Sequence, residues 1–406
     1  DAGRIDEAIG LFERTLADCE RVLGDDDHPY ILVSRGGLAG AYQDAGRIDE
    51  AIGLFERTLA DCERVLGANH PYILVLRGGL ASAYQAAGRI DDAIGLFERT
   101  LADRLRVLGP DHPDTLISRG GLAGAYQAAG RPEQAIDLHK KNLADRERVL
   151  GPDHPDTLTS RNNLAYAYWS VGRRDEAIGL LERNLAEALR VLGSDHPDTL
   201  TSRNNLAGVY KSVGRLEQAI DLYERTLADT ERVLGPDHPH TLTSRGKLAY
   251  AYESVGRLEQ AIDLFERNLA ARLRVLGSDH PDTLTSRNNL ANAYRSAGRL
   301  EQAIDLFERN LADGERILGS DHPDTLTSRN NLAYAYWSAG RRDEAIGLLE
   351  QNLAEALRVL GPDHPNTRIF RDNLADAYRA VGRDEEAAAL LDSPSDPDDA
   401  DAEAPA

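Results

Sequence analysis

The 406 residues contain no methionine, two cysteines and two tryptophans, and lysine occurs only at Lys140, Lys141, Lys211 and Lys247. Each scarcity excludes something. The two cysteines, Cys19 and Cys62, occupy the same place in successive copies of a repeat. Equivalent helices of stacked repeats lie roughly 8–10 Å apart, beyond the roughly 7 Å that a disulfide tolerates between Cα atoms. A disulfide framework is therefore excluded, and a reducing cytosol is the expected compartment. No apolar run approaches 18 residues, which excludes a membrane-spanning helix, and the first residues carry no signal-peptide pattern. Positive charge is in deficit: the net charge is −21 and the pI about 5.0. Such a field repels phosphate backbones and argues against a nucleic-acid partner. The chain also begins at Asp1 in the middle of a repeat, without methionine, so it is expected to be the C-terminal part of a longer protein.

What the sequence has in abundance is periodicity. His-Pro recurs at His28, His70, His112, His154, His196, His238, His280, His322 and His364, each 42 residues after the last. Gly-Arg recurs ten times from Gly3 to Gly382, with one step of 43 caused by the extra residue in Asp25-Asp26-Asp27. A fixed period of this length signals a repeat array, in which each unit contacts mainly its neighbours.

Within the unit 151–192, Asp153-His154-Pro155-Asp156 is a helix start. Asp153 is placed to cap the free amides, Pro155 suits the first turn, and Asp156 complements the positive end of the helix dipole. Leu164, Ala165, Ala167, Tyr168 and Val171 share one helical face, and Gly172 ends the helix. A second helix begins near Arg174, with Asp175 and Glu176 in its first turn. Its buried stripe is Ala177, Ile178, Leu181, Leu185, Val191 and Leu192, and Gly193 stops it. Short linkers force the two helices antiparallel. Counting units predicts nineteen helices, a leading second-type helix followed by nine pairs. Residues 1–391 are expected to form the array. Residues 392–406, rich in Pro, Asp and Ala, are expected to be a disordered acidic tail.

The string Leu164, Ala165, Tyr168, Gly172, Glu176, Ala177, Ile178 resembles the tetratricopeptide repeat, lengthened from 34 to 42 residues. The stretch LGPDHPDTLTSRNNLAYAY is similar to the repeats of kinesin light chain and their bacterial relatives. The resemblance implies an all-α, tetratricopeptide-like helical-hairpin solenoid of about nine repeats, a right-handed superhelix with a concave groove. It also implies a protein-interaction scaffold or sensor that binds a peptide or protein partner in that groove. In bacteria such arrays often form the regulatory C-terminal region of NB-ARC-type signal-transducing NTPases, which is the alternative reading. The phosphate loop of such a core, Gly-x-x-x-x-Gly-Lys-Ser/Thr, does not occur here.

Catalysis needs one asymmetric polar cluster, and here every candidate is copied along the array. No enzymatic activity and no cofactor are therefore expected. Histidines one repeat apart stand about 10 Å from each other, too far to share a zinc ion whose ligands lie about 2 Å from it, so no metal is expected. The histidines are instead expected to pack and cap the loops, and residues of the Arg161, Glu182 and Arg190 types to form ion pairs between neighbouring helices.

One stripe of the first helix varies while the core repeats: Thr159, Asn162, Tyr166 and Trp169, which fall within about 80° of one another at 100° per residue. Its counterparts are Asn204 and Lys211; Tyr250 and Glu253; Asn288, Asn292 and Arg295; and Asn330, Tyr334 and Trp337. In the family this stripe lines the groove. Asn residues are expected to contact a peptide backbone and the aromatics to clamp side chains; Arg295 and Arg379 suit an acidic peptide. The first three units carry glycine pairs instead, Gly36-Gly37, Gly78-Gly79 and Gly120-Gly121. Mid-helix glycine costs about 1 kcal/mol relative to alanine, so this end is expected to be softer and to gain stability on Gly→Ala exchange. Residues 2–24 and 45–67 are identical, as recent duplication would leave them.

Overall fold

The computed structural model describes residues 2–24, 27–67 and 70–392, with the side chains of 2–6 and 392 excepted. The expected tail, Asp392 aside, lies outside the described residues. The chain divides into two compact units, Asp1–Ser202 and Arg203–Ala406. The first holds α1 (Ala2–Leu23), α2 (Pro29–Asp44), α3 (Ile48–Leu66), α4 (Pro71–Ala86), α5 (Ile90–Val107), α6 (Pro113–Ala128), α7 (Pro132–Leu150), α8 (Pro155–Ser170) and α9 (Arg174–Val191). The unit boundary falls within α10 (Pro197–Ser212). The second holds α11 (Leu216–Leu234), α12 (Pro239–Ser254), α13 (Leu258–Leu276), α14 (Pro281–Ser296), α15 (Leu300–Ile317), α16 (Pro323–Ser338), α17 (Arg342–Val359), α18 (Pro365–Ala380) and α19 (Asp384–Asp392). All regular structure among the described residues is helical, and within each unit consecutive helices pack on one another, α1 to α9 in the first and α11 to α19 in the second, as a solenoid of helical hairpins requires.

The local chemistry of one repeat fixes this pattern. Pro155 opens α8 at its first helical position. The cap is His154, not the expected Asp153: its Nδ1 accepts from the amide of Asp156 at 3.2 Å. The same bond recurs at each His-Pro, for instance His112 to Asp114 and His322 to Asp324. Asp153 instead receives the guanidinium of Arg190, from the last turn of α9. Helix α8 ends at Gly172, which adopts φ +77°, where a side chain is strained, while Arg173 N donates to Tyr168 O at 2.9 Å. The Arg173 guanidinium then covers the Tyr168 ring at 4.2 Å and pairs with Glu176. The recurrent Gly-Arg is thus a helix stop followed by a lid over the core tyrosine.

Packing buries Leu158, Leu164, Ala165, Ala167 and Tyr168 of α8 against Ala177, Ile178, Leu181 and Leu185 of α9. Val171, expected on this face, is half-buried. A polar lattice runs through the same layer. Arg161, 1% exposed, reaches back to Glu147 at 2.8 Å, and Arg245 and Arg329 reach back to Glu231 and Glu315. Where the preceding helix carries leucine in place of that glutamate, as at Leu105 and Leu273, the arginine turns forward: Arg119 to Asp145, Arg287 to Asp313. From Arg119 to Arg329 the lattice therefore alternates with a period of two repeats, whereas Arg35 and Arg77 pair in both directions. Of the glutamates at the Glu182 position, Glu350 pairs with Arg383 at 3.6 Å, and others take a tyrosine as partner. Glu56, Glu98 and Glu308 accept the hydroxyls of Tyr84, Tyr126 and Tyr336.

Candidate functional site

The variable stripe lies on the first helix of each hairpin. In the first unit it comprises Asn162, Tyr166 and Trp169 of α8. Tyr166 is 66% exposed, Trp169 is half-buried with Arg174 at 5.8 Å from its ring, and the Oδ1 of Asn162 has no hydrogen-bond partner.

In the second unit the stripe is partly bound to itself. Asn331 donates to Asn288 Oδ1 at 2.9 Å, and Asn373 donates to Asn330 Oδ1 at 3.1 Å. These bonds tie neighbouring first helices together, and Asn330 is buried. Asn292 donates to the Asn288 carbonyl at 3.0 Å and accepts from Arg295 at 3.2 Å. Asn204 keeps an unpartnered Oδ1. Lys211 stands 5.6 Å from the Tyr250 ring, whose edge packs on Phe265 with centroids 5.2 Å apart. Three residues counted as contacts for a ligand backbone, Asn288, Asn292 and Asn330, are thus engaged within the array.

Tyr334 and Trp337 meet at a built cavity. A pocket of about 290 Å³ opens between α16 and α18, with Tyr334, Trp337, Asn373 and Asp376 on its walls and Leu349, Ala377 and Ala380 among its apolar lining. The Tyr334 hydroxyl donates to Asn373 Oδ1 at 2.7 Å. Burial, and then the nearby Asp376 carboxylate, push this phenol above its ordinary pKa, so it remains a donor. Arg342 lies 5.4 Å from the Trp337 ring. Asp376 pairs with Arg379 at 3.0 Å, which partly neutralises the arginine assigned to acidic peptides. Asp376 was missed because the last repeat departs from the Asn-Tyr-Trp pattern, although it stands in the register of Tyr334; Asn373 stands in the register of Asn331, off the stripe, and no sequence signal pointed to it.

Among the described residues no three His, Cys, Asp or Glu side chains converge as a metal site requires, and no helix is long and apolar enough to cross a membrane. The two cysteines are free, with Cys62 buried.

Comparison with known proteins follows the repeat. The tetratricopeptide repeat model matches residues 1–60, 30–106, 73–141, 120–186, 162–229, 204–273, 246–313, 290–354 and 330–393. No curated protein matches the chain. Among solved structures, a kinesin light chain-like protein of Podosopora anserina with nearly identical TPR-like repeats is 37% identical, covering 50% of this chain and 97% of that one, with a TM-score of 0.48. The quorum sensor NprR from B. thuringiensis is 16% identical over 86% of this chain and 97% of its own, at a TM-score of 0.52. A signal-transduction ATPase (STAND protein) with a tetratricopeptide repeat sensor, from Pyrococcus horikoshii, is 14% identical over 90% of this chain and 55% of its own, at 0.57. The last two likenesses are of fold alone.

Proposed function

The chain belongs to the tetratricopeptide repeat family, and we propose that it is a protein-interaction scaffold whose stripe of first-helix side chains binds an extended segment of a partner protein. The observation that carries this reading is the Tyr334–Trp337 pocket. It has the size of one bulky side chain, an apolar lining, two aromatic walls and polar groups at its edge. Aromatic anchors in such pockets supply most of the energy of a typical interface. The segment seats an aromatic or branched apolar side chain against Leu349 and Ala377. Its backbone then passes Asn373 and Asp376.

Ala380 lines the pocket yet is exposed, so Ala380→Trp fills the space without removing a core contact. Peptides selected from a random displayed library against the intact chain are expected to share one bulky apolar position. Their affinity is expected to fall by about 30-fold on Ala380→Trp, the equivalent of roughly 2 kcal/mol at a hot spot. Selected peptides that bind Ala380→Trp as tightly as the parent chain would sink the assignment of this pocket.

A further inference from the structure

A second cavity appears where the array omits one of its own side chains. In α5, Arg104 is buried and its Nη1 donates to Asp114 O at 2.8 Å and Ser118 Oγ at 2.6 Å, while Nη2 donates to Leu74 O at 3.1 Å. Arg146 repeats the arrangement on Asp156 O at 2.7 Å and Ser160 Oγ at 3.0 Å, and Arg272 on Asp282 O at 2.6 Å. In α15 the residue at this position is Gly314. A pocket of about 100 Å³ lies beside it, and Leu284, Asp324 and Ser328, the counterparts of Leu74, Asp114 and Ser118, are among its lining. The cavity therefore holds the residues that elsewhere surround a guanidinium, without the guanidinium.

Two further observations bear on this space: it has free acceptors on its wall, and packing does not require its glycine. Asn310 lines it at 3% exposure; its Nδ2 donates to Ser328 Oγ at 3.3 Å, but its Oδ1 has no partner, and neither has Thr325 Oγ1. A buried acceptor left unmade costs about 1–3 kcal/mol. Gly314 is not needed for fit either. A Cβ there would meet Thr325 Oγ1 at 3.4 Å, an ordinary contact, and Ala188 and Ala356 occupy the position in sister repeats. A mid-helix glycine costs about a further 1 kcal/mol relative to alanine. The glycine thus weakens its helix without being needed for fit, while the unpartnered Oδ1, shared with Asn142 and Asn268 of the repeats that carry Arg146 and Arg272, supplies a free acceptor on the wall. The rim residues Thr285, Asp324 and Thr327 are exposed, so the pocket communicates with the surface, and Asp324 and the net charge of −21 favour a cation there.

We propose that this pocket receives a guanidinium group from outside the chain, seated where Arg104 seats its own in α5. The ligand is an arginine side chain of a partner protein or a free arginine-like molecule. The planar fork of donors matches Asp324 O, Ser328 Oγ and Asn310 Oδ1, and an ammonium cannot span them. This site lies between α14, α15 and α16, apart from the Tyr334–Trp337 pocket, and stands whether or not that pocket binds a peptide.

The test titrates the full chain with acetyl-Ala-Arg-Ala-amide, free arginine and acetyl-Ala-Lys-Ala-amide, following the side-chain amide resonance of Asn310. Saturable shifts are expected with the arginine compounds, and about tenfold weaker ones with lysine. A tripeptide tighter than free arginine identifies a protein segment as the source, and the reverse order identifies a free amino acid. Asn288→Gly combined with Gly314→Arg reproduces the Gly78 and Arg104 combination and fills the pocket from within; it is expected to abolish the response. Asn310→Ala, a single truncation that adds no bulk, is expected to weaken binding by about tenfold, the scale of one hydrogen bond to a charged group, read from the Ser328 amide. No saturable shift would show that the pocket holds water only, an unchanged response in the filled variant that the ligand binds elsewhere, and equal binding of lysine that the site does not select a guanidinium; each overturns the proposal.

Discussion

The repeat around α4–α6 and the repeat around α14–α16 share backbone, caps and core, yet they divide the same interior space in opposite ways. In the first, Gly78 stands on the first helix and Arg104 on the second, with Arg104 Nη2 at 3.9 Å from where a Gly78 Cβ would lie. In the other, the corresponding residues are Asn288 and Gly314. The exchange holds along the chain: Gly120 goes with Arg146 and Gly246 with Arg272, while Asn162, Asn204 and Asn330 go with Ala188, Thr230 and Ala356. Gly36 and Cys62 form a third solution, in which the Tyr72 hydroxyl occupies the vacated place and donates to Leu32 O. The lesson is that volume is conserved across the helix pair, not at a single position. The first glycine of the pair gives room to the Tyr72 phenol at Gly36 and lies against the Arg104 guanidinium at Gly78, whereas at Gly120 the nearest atom is Asn142 Nδ2 at 3.5 Å. The second is room for a ring: a Cβ at Gly37, Gly79 or Gly121 would meet Phe12, Phe55 or Phe97 at 2.7–2.8 Å.

The sharpest way to break this comparison is a double-mutant cycle. Arg104→Gly opens a cavity and unpairs buried acceptors, and is expected to cost about 2–5 kcal/mol of local stability, read as hydrogen exchange in α4–α6. Gly78→Asn crowds Arg104 and is expected to cost about 1–3 kcal/mol. The two together recreate the pairing of Asn288 with Gly314 and should recover part of the loss, a coupling of about 0.5–3 kcal/mol. If the single costs simply add, the shared-volume account is wrong.

A smaller effect tests the neighbouring repeat, where His139 occupies the place of Phe97, Phe265 and Phe307. Burial pushes His139 down to about 4. Between its ordinary value near 6.5 and about 4, the unfolded chain binds a proton that the folded chain does not, so stability is lost as pH falls through that window. The loss is of order 2–3 kcal/mol by pH about 4. His139→Phe is expected to abolish that fall locally, while leaving the acid response of the remaining carboxylates. Equal acid sensitivity of α7 exchange in both forms would contradict the assignment.

The smallest effects separate the two glycines of a pair. Gly79→Ala gains helix propensity but drives a Cβ into the buried Phe55 ring, for a net cost of about 1 kcal/mol. Gly78→Ala meets only an ordinary contact and is expected to gain up to about 1 kcal/mol. The uniform gain expected from the sequence therefore splits into opposite signs, and equal shifts in the unfolding midpoints of the two variants would reject the split.

Much of the molecule was legible in advance because the signals are local. The period of 42, Pro155 at a helix start, Gly172 at a stop and the stripe of Leu164, Ala165 and Tyr168 each depend on backbone dihedrals or on neighbours within two turns. Those interactions repeat wherever the sequence does, so nineteen helices and their order followed from the sequence alone. The assignments that changed depend on which side chains from different helices reach the same point. Both Asp153 and His154 have the chemistry of a cap; only packing brings Arg190 to Asp153 and leaves the amide to His154. Asn288 and Asn330 have the exposure pattern of ligand contacts on one helix, but their neighbours Asn331 and Asn373 bind them. The glycine pairs are penalties in an isolated helix and clearances in the stack. The cavity at Gly314 is likewise invisible along the chain, because a hole is a property of three helices at once: helix propensity is decided residue by residue, whereas close packing is decided by all the atoms that compete for one volume.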